Sequence, residues 1–223
     1  DVLWALGLAC SALWLALSGS GAWTARALVG TLATAWGLRL AWHLWRRVRS
    51  EAEDGRYLAL RQYWHGDQRK FLAFFQFQAL LVVLFSLPLA AVVAHPDPSP
   101  LQLAAAAALW LVSVLGESLA DAQLARFRAD PANRGRTCDR GLWRYSRHPN
   151  YFFEWLEWCA WALAAFGGPL VWLGLLGPVL MYLFLRFISG IPFTEQQALR
   201  TRGDDYRKYQ RRTPMFFPWF PKP

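Results

Sequence analysis

Gly141-Leu142-Trp143-Arg144-Tyr145-Ser146-Arg147-His148-Pro149-Asn150-Tyr151 runs directly into Phe152-Phe153-Glu154-Trp155-Leu156-Glu157-Trp158. A basic, aromatic loop breaks at Pro149, and the apolar segment behind it carries two carboxylates. A charge at membrane depth costs at least ~2.5 kcal/mol, so acids inside a hydrophobic span imply a polar group that they hold. The remaining chain is read outward from that point.

On both sides of this stretch the apolar residues gather into runs of about twenty, the length that crosses a bilayer's hydrocarbon core. Six spans are expected: Val2 to Leu17, Ala22 to Leu44, Phe71 to Ala94, Leu101 to Ala120, Tyr151 to Phe166 and Leu170 to Ile188. The prolines in His95-Pro96-Asp97-Pro98-Ser99-Pro100 end one helix before the next begins. Hydrophobic residues make up 55% of the chain, and there are 14 Trp, a residue that favours the headgroup interface. The expected fold is all-α, a polytopic transmembrane helical bundle forming one integral domain over residues 1–223. No internal repeat interrupts it.

Charge is as unevenly spread as hydrophobicity. The net charge of +9 is concentrated in an insert at 45–70, a basic loop at 121–149 and a tail at 189–223. The connections near Gly19, His95 and Gly167 carry no Lys or Arg. Positive charge marks the cytoplasmic side, so all three basic segments fall on one face, with Arg26 the single exception. A bacterial inner-membrane location with a cytoplasmic C-terminus is expected, and membrane lipids are the expected surroundings. Apolar runs of this length exclude a nucleic-acid-binding reading. Three irregularly spaced cysteines, no CxxC and no HxxxH exclude a disulfide framework or a metal site. No obligate protein partner is expected. The chain starts at Asp1 rather than Met, so its natural start is expected to lie further upstream.

The polar residues near the spans form two helical faces. Glu117, Asp121 and Arg128 share a face if the fourth span continues as helix, and Asn150, Glu154 and Glu157 do the same on the fifth. Arg126, Arg128, Arg134, Arg136, Arg140, Arg144 and Arg147 crowd the adjoining loop. Planar guanidinium forks match phosphate oxygens, and carboxylates suit ribose hydroxyls or a carboxamide. Together these residues suggest a phosphorylated nucleotide with its phosphates outward. In the insert, Glu53, Asp54 and Tyr57 offer acids that could donate a proton. No GxxxxGK[ST] and no GxSxG occurs.

Tyr145-Ser146-Arg147-His148-Pro149-Asn150-Tyr151, followed by Glu154 and Trp158, resembles the C-terminal signature of the steroid 5-alpha-reductase superfamily, most nearly a bacterial branch of unknown function. Asp1-Val2-Leu3-Trp4, Glu53-Asp54-Gly55-Arg56-Tyr57, Asn133-Arg134-Gly135 and Phe217-Pro218-Trp219-Phe220-Pro221 resemble other segments of that branch, in the same order. The resemblance implies seven helices, the first preceding Asp1. It also implies NADPH-dependent reduction of a conjugated carbon–carbon double bond in a steroid or other apolar lipid enone. By position it assigns the NADPH site to Asp121, Arg128, Tyr145, Arg147, His148, Asn150, Glu154, Glu157, Trp158, Arg186, Glu195 and Tyr206. The steroid enzymes bind and protonate the enone with a Gln-Glu pair and a Tyr. No such pair is found here, and Glu53, Asp54 and Tyr57 stand in by motif position. Two other readings stay open. One is a methyltransferase resembling the isoprenylcysteine type, which shares the His-Pro and a downstream Glu and would use S-adenosylmethionine. The other is a non-enzymatic lipid-binding or scaffold protein.

Overall fold

The computed structural model describes residues 2–50 and 55–222. The fold is all-α, with no strand among those residues. In chain order come α1 (Val2–Ser18), α2 (Trp23–Leu28), a π turn (Val29–Ala33), α3 (Thr34–Ser50), α4 (Gly55–Tyr63), α5 (Gln68–Val93) and α6 (Pro100–Ala129). Two 3-10 turns (Pro131–Asn133 and Gly141–Arg144) lead to α7 (Pro149–Ala165), then α8 (Val171–Leu183), a second π turn (Phe184–Ile188) and α9 (Ile191–Arg212).

Among the described residues three helical stretches are long and apolar enough to cross a membrane: Gln68–Val93, Pro100–Ala129 and the run Val171–Arg212. The chain is a membrane protein on this ground. In the third stretch the apolar part ends near Ile188, and α9 beyond it is polar. The first helix, Val2–Ser18, is apolar but shorter. At 1.5 Å per residue, α6 is about 45 Å long and outreaches a ~30 Å hydrocarbon core. Its last turn carries Arg126 and Arg128.

Helix extends into the segments read from sequence as polar connections. The fourth span runs on to Ala129, so the basic loop proper begins near Asp130. The insert contains the end of α3 and all of α4, and the tail contains α9. Hydrophobic run length finds spans, but these extensions are polar helices whose backbone hydrogen bonds do not need an apolar surface.

The chain forms two compact units, Asp1–Leu103 with Ala164–Gly174, and Ala104–Leu163 with Leu175–Pro223. In the first, α1 packs on α3 and α5 around Ala5, Leu8, Ala9 and Ala12. Arg26 donates from Nε to the Ala16 carbonyl at 2.7 Å and from a terminal nitrogen to that of Leu17 at 2.8 Å. The cation thereby satisfies orphan carbonyls at the end of α1. Asp67 caps α5 by accepting from Arg69 N at 2.9 Å. His95, inside the proline-rich turn, accepts from Asp97 N at Nδ1 (3.3 Å). That fixes Nε2 as the protonated nitrogen, which donates to Phe166 O at 3.0 Å.

The second unit holds the signature stretch. Trp143 Nε1 donates to Ala120 O at 2.8 Å, and Leu142 N to Gln123 Oε1 at 2.9 Å, which pins the 3-10 turn to α6. On α6, Gly116 lies directly against the side-chain ring of Phe153 on α7. A Cβ there would overlap the ring.

Candidate functional site

The site's residues lie on α6, the signature loop, α7 and α9, in the parts of those elements that belong to the second unit. Pro149 opens α7, the helix position where a missing N–H is harmless. Ser146 Oγ accepts from His148 N at 3.1 Å, which turns the chain into the helix. Asn150 then lies in the first turn of α7, and Glu154 and Glu157 follow on its face.

Asn150 Nδ2 donates to Asp121 Oδ1 at 3.2 Å, joining the two faces read from the sequence. An ionised carboxylate only accepts, so this bond sets the amide's orientation. Asn150 Oδ1 therefore points elsewhere. It is buried and has no hydrogen-bond partner. Glu154 lies within electrostatic reach of Glu117 and Asp121. Among the described residues no hydrogen bond or ion pair to Glu154 occurs. Glu157 is 3% exposed and accepts from Trp110 Nε1 at 3.1 Å. Trp158 beside it is buried.

A second group of predicted residues converges on a different point. Glu195 Oε1 accepts from Arg147 Nε at 2.7 Å, His148 Nε2 at 3.3 Å and the Tyr206 hydroxyl at 3.3 Å. Its Oε2 accepts from Gln210 Nε2 at 2.9 Å. Burial alone would raise the Glu195 carboxyl. The His148 hydrogen bond, the Arg147 guanidinium and Gln210 outweigh it and bring the pKa down to about 2. His148 is held below its ordinary value, first by burial and then by Arg147, against the pull of Glu195. Burial also raises the Tyr206 phenol, with Glu195 adding to the effect.

Arg147 is further committed to the tail. It donates to Gln210 O at 2.8 Å and Thr213 O at 3.3 Å, and its backbone N to Pro214 O at 2.9 Å. Ser146 Oγ donates to Phe216 O at 2.8 Å, and Tyr209 donates to Trp143 O and to Ser146 O, the latter at 3.1 Å. The signature loop and the C-terminal tail thus form one hydrogen-bonded body.

Each of the other predicted residues has its own surroundings. Tyr145 is 38% exposed, with Trp219 N on its carbonyl at 2.9 Å and the Phe220 ring at its edge. Arg186 sits in the second π turn, 4.9 Å over the Phe187 ring. Arg128 is exposed on the last turn of α6. Tyr57 belongs to the first unit, where its oxygen accepts from Gln78 Nε2 at 3.4 Å and its ring packs on Phe74 and Phe75. Glu53 and Asp54 lie outside the described residues.

Trp110 and Gln210 escaped the sequence reading. Trp110 stands seven residues before Glu117, on the same helical face, and that spacing could have marked it as inward-facing rather than an interface anchor. Gln210 has no such local signal, because its partner lies across the fold.

Over residues 1–213 the sequence matches the family described as Protein of unknown function (DUF1295). The chain belongs to that family. No curated protein and no solved structure matches it significantly. The match takes in both residue groups described above, and the DUF1295 description carries no activity with it.

Proposed function

We propose that this DUF1295 chain is a membrane-embedded reductase that uses NADPH to saturate a carbon–carbon double bond conjugated to a carbonyl in a steroid or another apolar lipid. The observation that carries the reading is the buried, unpartnered Oδ1 of Asn150 beside Asp121. Leaving such an acceptor unmade costs about 1–3 kcal/mol, which a ligand hydrogen-bond donor would recover. Ribose hydroxyls and a nicotinamide carboxamide are such donors, so the residues present fit the cofactor. The resemblance of Tyr145–Tyr151, Glu154 and Trp158 to the steroid 5-alpha-reductase signature supports the same choice.

Each residue then has a role. Asp121 orients the Asn150 amide. Asn150, Glu154 and Glu157 receive donors of the bound nucleotide, with Trp110 fixing Glu157. Arg128 and the loop arginines draw its phosphates. Glu195, through Arg147 and His148, holds the signature loop in shape. When bound, NADPH supplies the hydride. An acid at the substrate carbonyl stabilises the enolate and gives it a proton; Glu53, Asp54 and Tyr57 are the candidates. The basic segments face the cytoplasm of a bacterial inner membrane, where soluble nucleotide is available.

Thermal unfolding of the detergent-purified chain tests the reading. NADPH should raise the midpoint and S-adenosylmethionine should not. Asn150→Ala and Glu154→Ala should each weaken NADPH binding at least about tenfold while expression is retained. Stabilisation by S-adenosylmethionine alone would establish the methyltransferase instead. Silence from both would leave a lipid-binding or scaffold role.

A further inference from the structure

The break in α9 places unsatisfied donors where no role has yet been assigned. Gly203 has φ 48 and ψ −117, a non-helical conformation that separates Ile191–Arg202 from the turns beyond. A Cβ built on Gly203 meets nothing within 4 Å, so the break opens onto free space. Arg202, just before it, stacks its guanidinium 5.1 Å over the Tyr206 ring, and its Nε is buried with no hydrogen-bond partner. Just after the break, Asp205 Oδ2 accepts from Thr137 N at 2.7 Å. This bond ties the loop before Cys138 to the same stretch of α9. The Thr137 hydroxyl is also buried without a partner.

We propose that Arg202, Thr137 and Arg128 form a phosphomonoester subsite beside the break in α9. Arg128 reaches Arg202 electrostatically, and also Cys138, the neighbour of Thr137. Among the described residues neither Arg128 nor Arg202 makes an ion pair. Burial lowers the basicity of Arg202, and Arg128 lowers it further by like-charge repulsion, against Tyr206 and Asp205. An anion between the two guanidinium groups removes that repulsion. Guanidinium donors, one on the exposed Arg128 and one on the half-buried Arg202, match tetrahedral phosphate oxygens, and a threonine hydroxyl can donate to a third. The Asp205 carboxylate is the unfavourable neighbour, but one of its oxygens is engaged by the Thr137 amide.

The subsite deepens the reductase reading and rests on it for its ligand. There it holds the 2′-phosphate that distinguishes NADPH from NADH. A phosphorylated lipid headgroup offers the same chemistry.

Calorimetric titration of the full chain in detergent separates these sources. The parent protein should bind 2′,5′-ADP at least about tenfold more tightly than 5′-AMP, and NADPH more tightly than NADH. Arg202→Gln should reduce that preference to below about threefold and leave 5′-AMP binding unchanged. Thr137→Val lies on a separate segment and nearly conserves shape. It should cut the preference about threefold, and it carries the test if Arg202→Gln fails to fold. Binding of both dinucleotides with equal affinity overturns the subsite and leaves the reductase reading standing. Binding of neither, with a preference for phosphatidic acid over phosphatidylcholine nanodiscs that Arg202→Gln abolishes, keeps the subsite and removes the reductase reading. No preference in either arm overturns the subsite.

Discussion

Glu195 shows how a residue chosen by motif position can take its place from the whole fold. The resemblance places Arg147, His148, Glu195 and Tyr206 among the residues of the NADPH site. In the structure three of them donate to the fourth. The signature is local and therefore readable, but Glu195 stands 48 residues from Arg147, and nothing in the intervening sequence fixes that approach. The pKa of Glu195 falls from 4.5 to about 2, so its stabilisation is complete above pH 4.5 and is lost as pH drops toward 2. His148 adds to it with the same sign. Its folded pKa lies below 6.5, so unfolding takes up a proton and stability declines as pH falls below that value. Thermal unfolding in detergent from neutral pH to about pH 3 should show progressive loss, and Glu195→Gln should remove most of the slope below pH 4.5. A parent whose midpoint is flat below pH 4.5 would show that the carboxylate holds nothing.

Between elements, the contact of α6 with α7 depends on Gly116 accepting the Phe153 ring. Gly116→Ala forces the ring out of its rotamer and should cost about 1–3 kcal/mol. Phe153→Ala in the same chain should relieve that cost, a coupling that a double-mutant cycle of thermal midpoints would detect. Gly203→Ala should cost at least about 1 kcal/mol without any clash, because its positive φ disfavours a side chain. The elements differed in how far the sequence revealed them. Run length ended the fourth span at Ala120 and so missed the extension of α6, which the spacing of Glu117, Asp121 and Arg128 marked only on the condition that the helix continued; the break at Pro149 marked the start of α7. α9 was not legible: its polar face carries no hydrophobic run, and Ala198, Tyr206 and Tyr209 bury only part of it. The Asp121–Asn150 contact agrees with the two faces read from spacing alone, whereas the tail latch required the fold.

At the scale of the whole molecule, the proposed orientation in the membrane rests on charge. Each membrane-length stretch has one basic end and one end without Lys or Arg: Arg69 and Lys70 against the His95 turn, Arg126 and Arg128 against Pro100, and Arg186 with α9 against the turn at Gly167. On the proposed orientation each crosses once with its basic end inward, as the positive-inside preference would have it. Arg26 no longer counts against this orientation. Its guanidinium neutralises the final carbonyls of α1, so local hydrogen bonding accounts for a cation at the opposite end. Fusion reporters give a direct measurement. A fluorescent protein fused after Pro223 should fluoresce, and alkaline phosphatase at the same place should be inactive. Phosphatase inserted in the turn between Pro96 and Ser99 should be active. The inverse pattern would put the arginine-rich loop outside the cell, away from soluble dinucleotide. The site could keep its geometry in that case, but the nucleotide reading would lose its supply of ligand.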